Sequence, residues 1–148
     1  MPGKATLMPP QQLIEAAKAP FTAYNEKNWD KIRTLLTADV VYDEVPTNRK
    51  VRGIDQVITL WQGWATALPD SKCTFHNAIA SGDTVVIELT WIGTHKGPLQ
   101  TPKGPIAPTG KRIEIRACNV IQMEGEKGKS QRQYFDMATM LQQLGVTG

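Results

Sequence analysis

The dominant period of the hydrophobic pattern changes near residue 70, and that change limits the fold more than any other feature. Up to residue 67 apolar residues recur three and four apart, the spacing of one helix face. From residue 73 onward they recur every second position, the spacing of strands with one buried side. Leu13, Ala17, Phe21 and Tyr24 form the first helical stripe, opened by Pro9 and Pro10, and Pro20 within it is expected to kink or split the helix. A second short helix carries Trp29, Ile32, Leu35 and Leu36, and a strand covers 40–45, closed by Pro46. A polar loop over 47–53 leads to a third helix at 54–67 with Val57, Ile58, Trp61, Trp64 and Ala65. Strands are then predicted at 73–80, 84–94, 111–123 and 130–136, with a Pro/Gly-rich loop at 96–110, a six-residue turn at 124–129 and a last helix ending near Gly145. Helices segregated from antiparallel strands argue for α+β. The expected build is N-terminal helices packed into the concave face of a strongly curved, mostly antiparallel sheet, with a short C-terminal helix.

With 148 residues the chain reads as a single domain over 1–148, with residues 1–9 expected to be a flexible N-terminus. A net charge of +3 with scattered basic residues lacks the dense basic stripe that nucleic acid requires. No apolar run approaches the roughly 20 residues of a membrane span, and no signal region follows Met1, so a cytoplasmic protein is expected. Cys73 and Cys118 fall in strand-like runs outside any C-x-x-C pair and read as free thiols. His76 and His95, the two histidines, have no clear carboxylate partner, so no metal site is expected.

The strand at 111–123 is the most legible. Ile113, Ile115, Ala117, Ile121 and Met123 alternate with Arg112, Glu114, Arg116 and Gln122, which places Asn119 on the apolar side. A buried amide without partners costs about 1–3 kcal/mol. Asn119 is therefore either satisfied by a neighbouring strand or an orienting group in a pocket. If Met123 pairs with Ser130, Asn119 faces Tyr134 and Ala117 faces Asp136, with Arg132 opposite Ile121. Asn119, Tyr134 and Asp136 would then share the interior, and a one-residue slip would send them all outside. Asp136 has two possible jobs: capping the last helix, or shuttling protons from an apolar pocket that raises its pKa. Asn119 or Tyr134 would hydrogen-bond a carbonyl as charge develops on it. Trp61, Trp64 and Trp91 either line a cavity or fill ordinary core. Of Tyr42, Asp43 and Glu44, either Tyr42 and Glu44 face inward together or Asp43 does so alone.

Several stretches resemble the SnoaL-like polyketide cyclase branch of the nuclear transport factor 2-like, cone-shaped α+β superfamily. They are Leu36-Thr37-Ala38-Asp39-Val40-Val41-Tyr42-Asp43, Arg52-Gly53-Ile54-Asp55, Trp91-Ile92-Gly93-Thr94-His95-Lys96-Gly97-Pro98, Pro108-Thr109-Gly110-Lys111-Arg112-Ile113-Glu114, Tyr134-Phe135-Asp136, and Leu141-Gln142-Gln143-Leu144-Gly145. The resemblance implies a cofactor-free cavity protein, a homodimer through the outer sheet face, and an aldol-type ring closure in which a pocket aspartate moves the proton. It implies Asp136 as that aspartate, and Asn119, Tyr134 and His76 are the orienting groups expected to act with it. Trp61, Trp64, Trp91, Tyr24, Tyr42, Phe75, Ala117, Ile121 and Arg132 are the expected substrate-binding residues. Steroid isomerase relatives carry an Asp before the proline that closes the first strand, where this chain has Val45. Epoxide hydrolase relatives carry Arg-x-Asp where it has Arg116-Ala117-Cys118. Sister proteins often carry His-Trp before the last-strand Asp, where it has Gln133-Tyr134-Phe135, so a pocket histidine would have to be His76 or His95. The expected function is a cyclase- or isomerase-like enzyme acting on an apolar carbonyl compound, with a non-catalytic small-ligand or protein-binding module as the alternative.

Overall fold

Pro10 opens helix α1 (Pro10–Asn25), where a residue without an N–H loses nothing because the first turn has no acceptor for it. Leu13, Ala17, Phe21 and Tyr24 are all buried, as the stripe predicts. Pro20 does not split the helix; packing along the buried face holds the segment helical across the missing hydrogen bond. Asn28 caps α2 (Trp29–Leu35), its side chain accepting from the Lys31 N–H at 3.1 Å. Leu36 does not extend that helix but begins β1 (Leu36–Glu44). A 3-10 turn, Val45–Thr47, follows, and the expected polar loop contains a short strand, β2 (Arg49–Arg52). Helix α3 (Ile54–Ala67) leads to β3 (Lys72–Ser81) and β4 (Thr84–Thr94). The Pro/Gly-rich stretch carries a small ribbon, β5 (Leu99–Thr101) and β6 (Gly104–Ile106). Then come β7 (Arg112–Glu124), β8 (Lys127–Phe135) and α4 (Met137–Gln143). This computed structural model describes residues 8–146. Met8 packs against the core and Pro9 precedes α1; residues 1–7 of the expected flexible start lie outside the described residues.

The six-stranded sheet runs β2-β1-β8-β7-β4-β3, and β5 and β6 pair separately. All neighbours in the large sheet are antiparallel except β1 and β8, which run parallel. Helices α1 and α3 lie on one face of it. Ile113, Ile115, Ala117, Asn119, Ile121 and Met123 are all buried on that face, as the alternation predicts. Val85, Ile87 and Leu89 of β4 lie beside them.

The register of β8 corrects the expectation. The β7–β8 turn is tight, with Glu124 opposite Lys127 and Gly125 at φ +61°. A bulge between Gln122 and Met123 then sets Gln122 opposite Ser130, so Asn119 faces Gln133 and Ala117 faces Phe135. This is the one-residue slip, and with a side-chain period of two it turns the strand over. Gln131 and Gln133 are buried inside, whereas Arg132, Tyr134 and Asp136 are exposed.

After β4 the chain is pinned to the end of α3, where the N–H groups of Lys96 and Gly97 both donate to the Ala67 carbonyl, at 2.9 and 3.1 Å. A Cβ on Gly97 would lie 2.2 Å from the Thr66 carbonyl oxygen. Gly97→Ala is therefore expected to lower stability by about 1–3 kcal/mol, measured by urea denaturation, because a backbone atom must give way.

Candidate functional site

The parallel pairing of β1 with β8 sets Tyr42 beside Gln131 and Glu44 beside Gln133. All four side chains are buried. From β7, Asn119 faces Gln133. Three neighbouring strands thus bring five polar side chains together on the inner face. Glu44 is fully buried, and its carboxylate is saturated. Oε1 accepts from Thr47 Oγ1 at 2.6 Å and from Arg49 Nη2 and Nε at 2.7 and 3.2 Å. Oε2 accepts from Tyr42 Oη at 2.8 Å and Trp64 Nε1 at 2.7 Å. Tyr42 Oη accepts in turn from Gln133 Nε2 at 2.7 Å. Gln133 Oε1 accepts from Trp91 Nε1 at 2.8 Å and Asn119 Nδ2 at 3.2 Å, and Asn119 Oδ1 accepts from Gln131 Nε2 at 2.9 Å. Burial, and then the nearby Glu44 charge, hold the Tyr42 phenol well above its ordinary pKa.

This network runs behind and along the wall of an apolar cavity of about 80 Å³. Tyr24, Tyr42, Trp61, Trp64 and Trp91 line it, as expected, together with Phe21, Phe135, Ile113 and Ile115. Its polar lining is Tyr42, Gln131, Gln133 and a Tyr24–Ser71 pair with oxygens 2.6 Å apart. Burial pushes the Tyr24 phenol up to about 12, against the lowering effect of the Ser71 hydrogen bond.

The other residues proposed from the sequence lie elsewhere. Phe75, Ala117 and Ile121 belong to the core between α1 and the sheet, where Phe75 meets the Phe21 ring edge-on at 6.0 Å. A bulge in β3 between Phe75 and Asn77 leaves His76 unpaired and exposed, with Nε2 2.6 Å from Thr90 Oγ1. His76, Tyr134 and Asp136 do come together, with Glu88, Arg116 and Cys118, but in a shallow open depression on the outer face of the sheet. Arg132 is also outside and donates from Nε to Tyr134 Oη at 3.3 Å. Asp136 caps α4, accepting from the Ala138 N–H at 3.0 Å and the Thr139 hydroxyl at 2.7 Å. The Thr139 hydroxyl, followed by backbone N–H groups, holds its carboxyl below the usual range. Of its two possible jobs the structure shows the cap. Of the four residues expected to be catalytic, only Asn119 faces inward. His95 is buried outside the cavity, with Nδ1 accepting from the Thr109 N–H at 3.1 Å.

Sequence reasoning missed Gln131, Gln133, Ser71, Thr47 and Arg49. One signal for Glu44 was available: Tyr42 and Glu44, two positions apart, must share a face. The structure resolves that choice in their favour, with Asp43 on the other side.

A family model for SnoaL-like polyketide cyclases matches residues 14–144. The chain belongs to that family. Among solved structures, a candidate SnoaL-like polyketide cyclase from Jannaschia sp. CCS1 superposes with a TM-score of 0.82 at 18% identity, covering 94% of this chain and 95% of the other. A candidate polyketide cyclase from Streptomyces antibioticus gives 0.78 at 23% identity, covering 91% and 99%. An epoxide hydrolase of the LEH-like type from M. tuberculosis gives 0.71 at 22%, covering 91% and 90%. At these identities the likeness is one of fold, the cone-shaped α+β fold that the SnoaL-like family shares with ketosteroid isomerase-like proteins. None of the curated proteins compared matches the sequence. Among the described residues of this SnoaL-like chain, no helix is long and apolar enough to cross a membrane.

Two outcomes follow from the two carboxylates. Arg49→Met removes a charged partner from the enclosed Glu44 and is expected to cost about 1–3 kcal/mol in urea unfolding. That is less than a fully buried pair would lose, because the Arg49 side chain is 33% exposed. Asp136→Ala is expected to lower the melting temperature at pH 7. A depressed carboxyl stabilises above its unfolded pKa and loses that contribution as pH falls through the folded value, so the gap should close below about pH 4.

Proposed function

We propose that this SnoaL-like chain is a small cofactor-independent cavity enzyme, of cyclase or isomerase type, that moves a proton on an apolar carbonyl compound. The observation that carries this reading is the continuous run of hydrogen-bonded side chains along the wall of an aromatic-lined cavity, ending at an enclosed phenol–carboxylate pair. Mostly apolar pockets with a few placed polar groups bind and orient small molecules. The ligand carbonyl accepts from the remaining N–H of Gln133, which steadies the enolate oxygen. Tyr42 Oη takes the proton from the adjacent carbon while its own proton passes to Glu44 Oε2. The proton returns by the same path, in a ring closure to the alkoxide oxygen formed when the enolate carbon attacks a second carbonyl, and in an isomerisation to a different carbon of the enolate. Asp136, expected from the sequence as the acid/base, has no part in this scheme.

The non-catalytic binding module remains the second reading. One observation favours it: Glu44 already accepts from five donor groups, so its oxygens carry no unused bond for a ligand. A homodimer through the outer sheet face belongs to either reading. It is supported there by the exposed Ile79 and Tyr134 at 58% and 42%.

The two readings separate by deuterium exchange at the α-carbon of 2-tetralone in D2O, followed by proton NMR. The enzyme is expected to accelerate exchange over buffer, and Tyr42→Phe to slow it at least about tenfold with the near-UV circular dichroism unchanged. Binding of 2-tetralone without any acceleration would support the module instead.

A further inference from the structure

The polar run has a direction, and both of its ends fix it. Arginine and tryptophan only donate, and an ionised carboxylate only accepts. At one end Arg49 and Trp64 hold Glu44 as an acceptor, so Tyr42 must give its proton to Glu44 and accept from its other neighbour. Gln133 therefore turns its Nε2 toward Tyr42. From the other side the Trp91 indole N–H requires Gln133 Oε1, which demands the same orientation of that amide. Oε1 of Gln133 carries no hydrogen, so Asn119 must meet it with Nδ2 and expose Oδ1 to Gln131 Nε2. Each amide is thus set by the one before it, without reference to any ligand.

The last member, Gln131, is left with an unpaired carbonyl oxygen. Among the described residues, the enclosed side-chain polar atom without a hydrogen-bond partner is His95 Nε2, and Gln131 Oε1 is not enclosed in that way. Gln131 lines the cavity. Its Nε2 also keeps one hydrogen beyond the bond to Asn119. The opposite polarity, with Gln131 offering two donors and no acceptor, would require Gln133 to present Nε2 to the Trp91 N–H. No charged side chain is among the cavity-lining residues, and a carboxylate ligand would face the Gln131 oxygen with no countercharge.

Resting on the reading of this cavity as the binding site, we propose that Gln131 turns this unpaired oxygen into it and is its specificity-determining residue. It selects uncharged carbonyl compounds that carry a hydrogen-bond donor beside the carbonyl: an enol, a hydroxyl or a lactam N–H. A ligand lacking that donor leaves the Gln131 oxygen desolvated and unpaired, which is the strongest form of polar discrimination open to a small pocket.

Coumarin and 2-quinolinone test this, because the two bicycles share a shape and differ in a ring oxygen against a ring N–H. Calorimetric titration of the wild-type protein is expected to show 2-quinolinone bound about tenfold more tightly. In Gln131→Met the preference should vanish, with coumarin binding more tightly than it does to the wild type because no buried oxygen is left unpaired. Equal affinities in the wild type overturn the inference without any variant having to fold, and so does a preference that survives in Gln131→Met. If neither bicycle binds the folded wild-type protein, the reading of the cavity as the binding site fails, and the inference with it; that result differs visibly from equal binding.

Discussion

A single enclosed carboxylate organises the interior of this molecule. Glu44 lies fully buried at the end of β1, and an ion in that position survives only if its oxygens are met by donors. The donors come from four consecutive elements: Tyr42 on its own strand, the 3-10 turn at Thr47, strand β2 through Arg49, and helix α3 through Trp64. Satisfying one side chain therefore ties α3 and β2 to β1. Through Tyr42 and Gln133 the same constraint reaches β8 and β7. The apolar cavity lies against this frame, with two of its tryptophans held by their indole N–H groups, Trp64 to Glu44 and Trp91 to Gln133.

The fold was legible because most of its information lies in periodicity. The α1 stripe, the β3–β4 hairpin and the alternation along β7 follow from burial on one face, and each appears where the pattern placed it. The site was less legible because its content depends on the register of β8. The turn before that strand is shorter than the polar segment 124–129 suggested, which moves the pairing by two positions, and a bulge in β8 moves it back by one. Neither leaves a mark in composition. Together they exchange Tyr134 and Asp136 for Gln133 and Phe135 on the inner face. Bulk sets the aromatic walls, so Tyr24, Tyr42, Trp61, Trp64 and Trp91 line the cavity while Phe75 packs into the core, and parity sets the polar groups of β8. Asn119 survived because it sits in the strand whose parity was secure.

Inner and outer faces consequently hold different chemistry. Inside, the polar groups are amides and a phenol that bond to one another in sequence. Outside, His76, Glu88, Arg116, Tyr134 and Asp136 stand around an open depression where water competes for each of them. A proton or ligand handled inside is shielded from solvent, and one handled outside is not.

The parallel junction of β1 and β8 also carries a consequence for how the chain reaches this state. Strands β3, β4, β7 and β8 form a meander of antiparallel neighbours and can pair in order of appearance. Strand β1 must wait for β8, roughly ninety residues later, and loop-closure entropy makes such a contact late and slow. The polar corner of the cavity, where Tyr42 meets Gln131 and Gln133, is completed at that seam. It is incomplete in any partly folded form that has only the meander, so a ligand that uses this corner recognises the finished molecule. Occupancy of the cavity would then favour the last step of folding over every earlier one, and the interior would double as a check on whether assembly is complete.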